Sequence, residues 1–371
     1  MRPLPRLRAV GILAHLATAL LAAAPGPVAA QSGPQPRTGR EIYETVCIAC
    51  HGPDGRGGVN PELEKIAAPP DFTDCAFAAR EPDRAFLAVA HDGGPSRGFS
   101  PLMASWSSAF TEAELGLAIA HLRTFCTDDA WPRGELNLPL ALATGKAFPE
   151  DEAVLRVAVH AGDIVTRAVY ERRFGALNQW EVALPLSAID RPRGGRTAGV
   201  GDIALGYKRV LAHSRASGHI VSLSGEVKLP TGSERRGLGG GVTVVEPFLT
   251  YGQLLPGQSF LQTQVGVGIP ASRGHDSEVF WRAAVGRSFE QGRFGRQWSP
   301  MLEVLGARTL ASAARVEWDV LPGLQVTLNR RQHVRLGLGV RLPVTDTAAR
   351  SPAALSYLLW DWYEGGLTQG W

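Results

Sequence analysis

The sequence predicts two domains, a small all-α domain followed by an antiparallel transmembrane β-barrel of about twelve strands. Three observations support this fold class. The N-terminal part has two helix-start signals, the hydrophobic period changes from about 3.6 residues to about 2 near Ala153, and the new period then recurs up to the last residues. Because a change of period marks a domain boundary, we expect domains at residues 36–131 and 153–371, joined by a linker at residues 132–152. Residues 131–148 have no sustained period, so a flexible tether and an ordered, packed linker are both compatible with the sequence.

Residues 1–30 have the pattern of a secretory signal peptide. Three arginines precede an apolar run, and the small residues at 28–30 offer a cleavage site. Removal of this segment would bring the formal net charge of +3 to about zero. The composition therefore gives no reason to expect nucleic acid as a partner, and the mature chain is expected to be exported.

A C-x-x-C-H motif at Cys47, Cys50 and His51 predicts covalent attachment of one c-type haem. In such a motif the two thiols bond to the haem and the histidine ligates the iron. Thr38 and Glu41 form the pattern of a capping box just ahead of it, which places the motif close to a helix start. A redox C-x-x-C or half of a zinc site would need a βαβ context or a second Cys/His pair, which the sequence pattern does not offer.

Met103 is the predicted distal ligand of the iron. It lies in the loop SPLMASW, directly before a predicted helix at residues 111–125 that carries a second T-x-x-E capping pattern. A methionine thioether in this position raises the reduction potential of a haem. His91, in a glycine-rich loop, and His121, on the last helix, remain as alternatives.

Cys75 and Cys126 are the other two cysteines. In an exported chain we expect them to form a disulfide, although two buried free thiols would also be compatible with the sequence.

The order of haem motif, methionine loop and closing helix resembles a class I cytochrome c domain over residues 36–131. The resemblance implies one-electron transfer. A domain of about ninety residues has a small core of its own, and in this family the haem supplies much of the missing apolar contact.

The predicted barrel strands alternate strictly between apolar and polar or small residues, as at residues 221–229 and 334–342. Segments of about ten residues can cross a bilayer when they are tilted. The long polar connections all follow odd-numbered strands, which is typical of an outer-membrane barrel, whereas a soluble sandwich, the alternative, gives no such asymmetry. The aromatic C-terminal residue, Trp371, is also typical of bacterial barrels.

GVGDIALGYKRVL, from Gly199, and GEVKLPTGS, from Gly225, resemble the outer-membrane channel family of aromatic-degradation pathways. The order of signal peptide, mono-haem cytochrome and barrel is similar to the cytochrome–porin fusions of iron-oxidising bacteria, although those fusions have larger barrels. The second resemblance implies an outer-membrane location and an extracellular electron donor such as ferrous iron.

We expect the cytochrome domain to cover the periplasmic mouth, because it is about 30 Å across and a twelve-stranded lumen is too narrow to take it in. Its deletion should then increase the current through the barrel. The predicted lumen-facing charges are Asp202, Lys208, Glu226, Lys228, Arg335 and Arg341. Inward ion pairs that only stabilise the barrel are the alternative for each of them.

The expected function is transfer of single electrons between an external or periplasmic donor and periplasmic carriers, through a haem at the barrel mouth of an outer-membrane protein. A redox-gated porin and a haem peroxidase are the alternative functions. If the protein is an enzyme, we expect a surface oxidase of ferrous iron or of another small reductant. The expected partners are periplasmic electron carriers, outer-membrane lipid and, as an alternative, an extracellular donor.

Overall fold

The computed structural model describes residues 37–190 and 195–361. The predicted signal peptide and Trp371 lie outside the described residues. Within the described ranges, no helix is long and apolar enough to cross a membrane.

The N-terminal domain is built from short helices, as predicted. The α-helices are α1 (Gly39–Ile42), α2 (Ile48–His51), α3 (Pro61–Ala67), α4 (Cys75–Ala78), α5 (Asp83–Asp92) and α6 (Glu112–Leu122). A π-helical segment (Tyr43–Cys47) joins α1 to α2, and 3₁₀ turns lie at Gly94–Arg97, Arg123–Phe125 and Gly134–Leu136. Both predicted capping boxes are present, Thr38 with Glu41 and Thr111 with Glu114.

The core of the helical domain forms where α1 crosses α6. Ile42 and Leu115 are buried in one cluster, and Tyr43 and Leu122 are buried in the adjacent one. The predicted disulfide between Cys75 and Cys126 is present, with the Cα atoms 5.2 Å apart, and it fixes α4 to the end of the last helical turn. Packing of α1 on α6 therefore holds the two ends of the domain together, and the disulfide adds a covalent link between its middle and its C-terminal end.

Fourteen strands of the described residues form one antiparallel sheet. They are β1 (Glu152–His160), β2 (Asp163–Phe174), β3 (Asn178–Asp190), β4 (Arg196–Val200), β5 (Ala204–Ser214), β6 (His219–Lys228), β7 (Val244–Leu255), β8 (Ser259–Pro270), β9 (Glu278–Arg287), β10 (Phe289–Glu290), β11 (Gln297–Thr309), β12 (Glu317–Thr327), β13 (Val334–Pro343) and β14 (Ala353–Asp361).

Twelve of these strands close into a barrel, the number that the sequence predicts. The short strand β4 pairs only with β3, and β10 pairs with the start of β11 beside β9. The other twelve pair in chain order, and β14 pairs with β1 from Glu152 opposite Asp361 to His160 opposite Ala353, so the sheet has no open edge.

The outer surface of the barrel is apolar. Many outward-facing residues of the strands are leucine, valine or aromatic residues that are 36–55% exposed. Examples are Leu211, Val265, Val285 and Leu338. Exposed apolar patches of this extent on a monomer mark a surface that meets lipid or a partner. The alternation of the sequence therefore places apolar residues outside and polar residues inside.

The connections at the two ends of the barrel differ in length. At the end where β1 begins and β14 ends, the turns between consecutive strands are short, such as residues 175–177, 215–218 and 256–258. At the other end the connection between β6 and β7 spans residues 229–243, that between β13 and β14 spans residues 344–352, and the hairpin between β1 and β2 is tight. We call the first end the short-turn mouth.

The predicted linker runs through the barrel, as an ordered and packed segment. Leu136, Leu138, Leu140, Leu142 and Phe148 are all at most 9% exposed. They share clusters with inward-facing residues of the strands, including Val154, Val169, Ala183, Val210, Ile220, Phe260, Ala284, Met301, Leu321 and Tyr357. Residues 134–151, which we call the lumen segment, are therefore part of the core of the barrel and not a free tether.

Candidate functional site

The C-x-x-C-H motif lies where the π-helical segment meets α2. Cys47 is the last residue of the π-helical segment, and Cys50 and His51 lie in α2, which ends at Gly52 with a φ of +75°. A π-helical turn inside a helix is common at functional sites, where it changes the direction of the side chains. Both cysteines are free thiols, so both sulfurs are available for thioether bonds.

The burial of the motif changes the acidity of its side chains. Burial, with a smaller effect of Cys50, raises the pKa of Cys47 to about 11. Burial lowers the pKa of His51 to about 4. The imidazole is thus neutral at physiological pH, the form in which histidine ligates iron.

The main chain around His51 is fixed by two hydrogen bonds. The N–H of Gly57 donates to the carbonyl of His51 over 2.9 Å, and the buried hydroxyl of Tyr43 donates to the carbonyl of Gly52 over 2.8 Å. Since Tyr43 is buried in the core with Phe72 and Leu122, these bonds tie the position of the histidine to the core of the domain.

The ring of His51 lies against an aromatic wall. Its centroid is 5.0 Å from that of Phe72, which in turn is 6.2 Å from Phe77 and 6.0 Å from Phe86. Nδ1 of His51 is buried and has no hydrogen-bond partner. A neutral imidazole, two free thiols and an apolar wall are the donor set and surroundings that a covalent haem requires, so the residues present fit that group.

Met103 lies in a loop that is fixed to the end of α5, the helix that carries Phe86. The carbonyl of Met103 accepts from the N–H of Gly94 over 2.8 Å, and the N–H of Trp106 donates to the carbonyl of Ala90 over 3.1 Å. The loop and the aromatic wall beside His51 are therefore both built on α5. This connection is compatible with the distal role of Met103, which stays a prediction.

The two alternative ligands are engaged elsewhere. Nε2 of His91 is 2.7 Å from a guanidinium nitrogen of Arg293, and its ring centroid is 5.4 Å from that of Phe294, both in the barrel turn between β10 and β11. The ring of His121 packs edge-on against Tyr43 and Phe125. His91 thus belongs to the contact with the barrel, and His121 packs in the core of the helical domain.

The helical domain lies on the short-turn mouth of the barrel. Arg84 pairs with Glu290 over 2.6 Å, Arg215 pairs with Asp83 over 2.5 Å, and Nε2 of His333 is 2.8 Å from Glu81. These three barrel residues lie in three different turns or strand ends at this mouth. The contact therefore extends around the rim and is carried by charged side chains.

Asp83, at the start of α5, is the centre of this contact. Its carboxylate also accepts from Arg123 over 2.8 Å and from Arg133 over 2.6 Å. Burial opposes ionisation of Asp83, but the three arginines hold its pKa below the usual value. The guanidinium of Arg123 lies 4.1 Å above the ring of Phe86, so the same cluster reaches from the barrel to the aromatic wall beside His51.

Most of the predicted lumen charges lie inside the barrel in ion pairs or hydrogen bonds. Glu226 pairs with Arg167 over 2.7 Å, Lys228 with Glu246 over 2.6 Å and Arg335 with Asp361 over 2.9 Å. Lys208 donates to the carbonyl of Phe148 in the lumen segment over 3.2 Å, and Arg341 lies on the inward phase of β13, opposite Ala353.

Asp202 lies outside the regular strands, in the bend between β4 and β5. Its carboxylate accepts from the N–H groups of Gly232 and Gly240 over 2.9 and 2.7 Å. Asp202 thus anchors the long connection between β6 and β7, and a lumen-facing role for it stays a prediction.

Sequence reasoning missed Glu303, which is fully buried in the lumen and binds the lumen segment. The sequence of the lumen segment does contain a recognisable pattern, since the leucines at 136, 138, 140 and 142 alternate with Asn137, Pro139 and Ala141. An alternating apolar run ahead of the first strand indicates an extended, buried stretch.

Comparison with known proteins identifies the first domain. Residues 34–122 match the family model described as cytochrome c oxidase, cbb3-type, subunit III. No curated protein matches the chain. The helical domain is therefore a cytochrome domain, and a cytochrome domain binds haem.

Solved structures that resemble this chain include an outer membrane channel and two porins. An outer membrane channel from Pseudomonas putida F1 has 10% identity and a TM-score of 0.43, with 61% of this chain and 100% of that chain covered. The KdgM porin has 6% identity and a TM-score of 0.39, with 57% and 99% covered. The NanC porin has 6% identity and a TM-score of 0.40, with 57% and 98% covered.

Proposed function

We propose that this chain, a cytochrome domain followed by a closed twelve-stranded barrel, is an outer-membrane electron-transfer protein with one covalent haem c. In this proposal Cys47 and Cys50 hold the haem, and His51 and Met103 ligate its iron. When bound, such a group supplies reversible one-electron chemistry. The barrel holds the cytochrome domain at the membrane by its apolar outer surface.

The observation that carries the proposal is the position of the cytochrome domain on the short-turn mouth. Outer-membrane barrels have their short turns on the periplasmic side, so the domain would face the periplasm and its soluble electron carriers. The rim contacts of Glu81, Asp83 and Arg84 would keep it there. Periplasmic carriers are therefore the proposed partners, together with the lipid around the barrel.

The lumen segment weighs against a redox-gated porin, because residues 136–148 occupy the interior that solutes would need. It also weighs against direct contact between an extracellular donor, such as ferrous iron, and the cytochrome domain. A haem peroxidase would require an open sixth position on the iron, which the methionine loop on α5 argues against.

A test uses the full-length protein made in a host with haem-ligation machinery. Wild type should keep haem staining after denaturation, whereas Cys47→Ala combined with Cys50→Ala should lose it while the barrel still shows heat-modifiable migration. Wild type in vesicles should also exchange electrons with a reduced soluble c-type cytochrome. A wild-type chain without covalent haem, or one that fractionates away from the outer membrane, would contradict the proposal.

A further inference from the structure

The tip of the lumen segment is a main-chain turn whose N–H groups converge on one carboxylate. Glu303 accepts from the N–H of Leu142 over 2.7 Å and from the N–H of Thr144 over 2.7 Å, and the N–H of Ala143 lies 3.1 Å from the same carboxylate. The hydroxyl of Thr144 adds a fourth donor at 2.8 Å. Glu303 is 0% exposed, so no water competes for these bonds.

The carbonyl groups of the same turn are bound from other strands. Arg156 of β1 donates to the carbonyl of Leu142 over 3.0 Å, and Arg282 of β9 donates to the carbonyl of Ala143 over 2.8 Å. One acidic and two basic side chains of the barrel strands therefore bind the polar groups of three consecutive residues. Charged hydrogen bonds of this kind are roughly twice as strong as neutral ones.

Other side chains of the barrel strands bind the main chain of the residues that precede the turn. Gln325 accepts from the N–H of Leu140 over 3.0 Å, and the hydroxyl of Tyr357 donates to the carbonyl of Leu140 over 2.6 Å. Gln262 donates to the carbonyl of Pro139 over 2.8 Å. The barrel thus binds an extended main chain, with side chains from β8, β12 and β14.

The wall also leaves room for the one large side chain at the tip. A Cβ atom on Gly339 would lie 2.3 Å from Cδ1 of Leu142, and one on Gly323 would lie 2.7 Å from it. Both glycines lie on the inward phase of their strands, so Leu142 fits against bare backbone. The fit in shape and the fit in hydrogen bonding therefore select the same turn.

We propose that Glu303, Arg156 and Arg282 form a binding site for the turn at residues 142–144. By holding the chain's own lumen segment in place, this binding site keeps the barrel closed to solutes. Loss of the carboxylate would leave the N–H groups of residues 142–144 without this acceptor in the lumen. The lumen segment would then detach from the inner surface of the barrel, and water would enter the lumen. This inference rests on the proposed membrane barrel but not on the haem.

The test compares Glu303→Gln with wild type in the full-length chain. A glutamine keeps the size of the side chain but presents an NH₂ group to the turn, so we expect a several-fold larger conductance in planar bilayers. Hydrogen exchange within residues 136–148 should be faster. Glu317→Gln, at an exposed glutamate of β12, is the matched control and should leave both readouts unchanged.

Gly323→Ala is a second variant that leaves Glu303 intact. Its new methyl group would lie 2.7 Å from Cδ1 of Leu142, and the nearest backbone atom is 3.4 Å away. It should therefore displace Leu142 and also raise conductance and exchange, whereas Gly268→Ala, where the nearest atom is 3.7 Å away, should not. Wild-type conductance and exchange in both Glu303→Gln and Gly323→Ala, with heat-modifiable migration intact, would overturn this proposal. If haem staining or membrane fractionation fails while conductance rises as expected, the proposed function fails and the proposed role of Glu303 stands.

Discussion

Gly39 of α1 lies so close to Leu117 of α6 that a Cβ atom on Gly39 would stand 2.0 Å from the Leu117 carbonyl oxygen. The neighbouring atom is backbone and has no room to move. The crossing of these helices positions Tyr43, whose hydroxyl in turn holds the main chain beside His51. The glycine therefore connects helix packing to the geometry of the haem motif.

Gly39→Ala should destabilise the cytochrome domain, because the two helices must separate to admit the methyl group. Overpacking of this kind costs about 1–3 kcal/mol. Guanidinium unfolding followed by haem absorbance should show a lower midpoint. Gly116→Ala, on α6 with nothing within 4 Å of the new Cβ atom, is the control and should raise stability by up to about 1 kcal/mol. Equal midpoints for the two variants would mean that the helices do not depend on contact at Gly39.

Met103→Ala should lower the reduction potential and let carbon monoxide bind the reduced protein, because removal of the thioether opens the sixth position on the iron. Redox titration and the carbon monoxide difference spectrum measure these effects. Met301→Leu, in the barrel core beside Phe260 and Ala284, is a matched control that should change neither. An unchanged spectrum in Met103→Ala would transfer the distal role to His91 or His121.

The haem motif could be found from sequence because its residues are close together in the chain. The capping patterns at Thr38 and Thr111 also depend only on residues three positions apart, and both are present as predicted. The strands followed from their alternation, since the two faces of each strand meet different surroundings. Local patterns of this kind need no knowledge of the tertiary structure.

The lumen segment could not be placed from sequence because its partners are distant in the chain. Leu142 and Glu303 are 161 residues apart, and a lone glutamate on the inward phase of β11 gives no sign of what it binds. The size of the cytochrome domain decides only whether a folded domain enters the lumen. An extended stretch of the same chain is narrow enough to fill it, as the lumen segment does.

The contact between His333 and Glu81 should make docking of the cytochrome domain depend on pH. Burial alone would lower the pKa of His333, but the carboxylates of Asp361 and Glu81 raise it above its usual value, against a smaller opposing effect of Arg335. Because the pKa of His333 is raised in the docked state, protonated His333 stabilises docking of the cytochrome domain fully below about pH 6.5, the usual histidine value. This stabilisation of docking is lost as the pH rises through the docked-state pKa of His333.

Hydrogen exchange of residues 80–84 and 328–335 measures this effect. Both regions should be better protected in mildly acidic than in mildly alkaline buffer, and Glu81→Gln should reduce the difference. Glu112→Gln, at a half-exposed glutamate whose carboxylate is 3.8 Å from Arg84 and from Arg293, should keep it. Protection that does not change with pH in the wild type would show that His333 does not titrate at this contact.

Deletion of the cytochrome domain should leave the barrel nearly closed, contrary to the expectation from sequence. The contacts of residues 142–144 with Glu303, Arg156 and Arg282 all lie within the barrel, so they persist when residues 38–131 are removed after the signal peptide. Besides the rim contacts, the losses are at the two ends of the lumen segment, namely the bond from the N–H of Gly134 to the carbonyl of Ala79 and the ion pair between Arg80 and Asp151. Planar-bilayer conductance should therefore stay close to that of the full chain, whereas replacement of residues 136–148 by an equally long Gly/Ser stretch should raise it. A truncated chain that conducts as well as the replaced one would show that the cytochrome domain, and not the lumen segment, is the barrier.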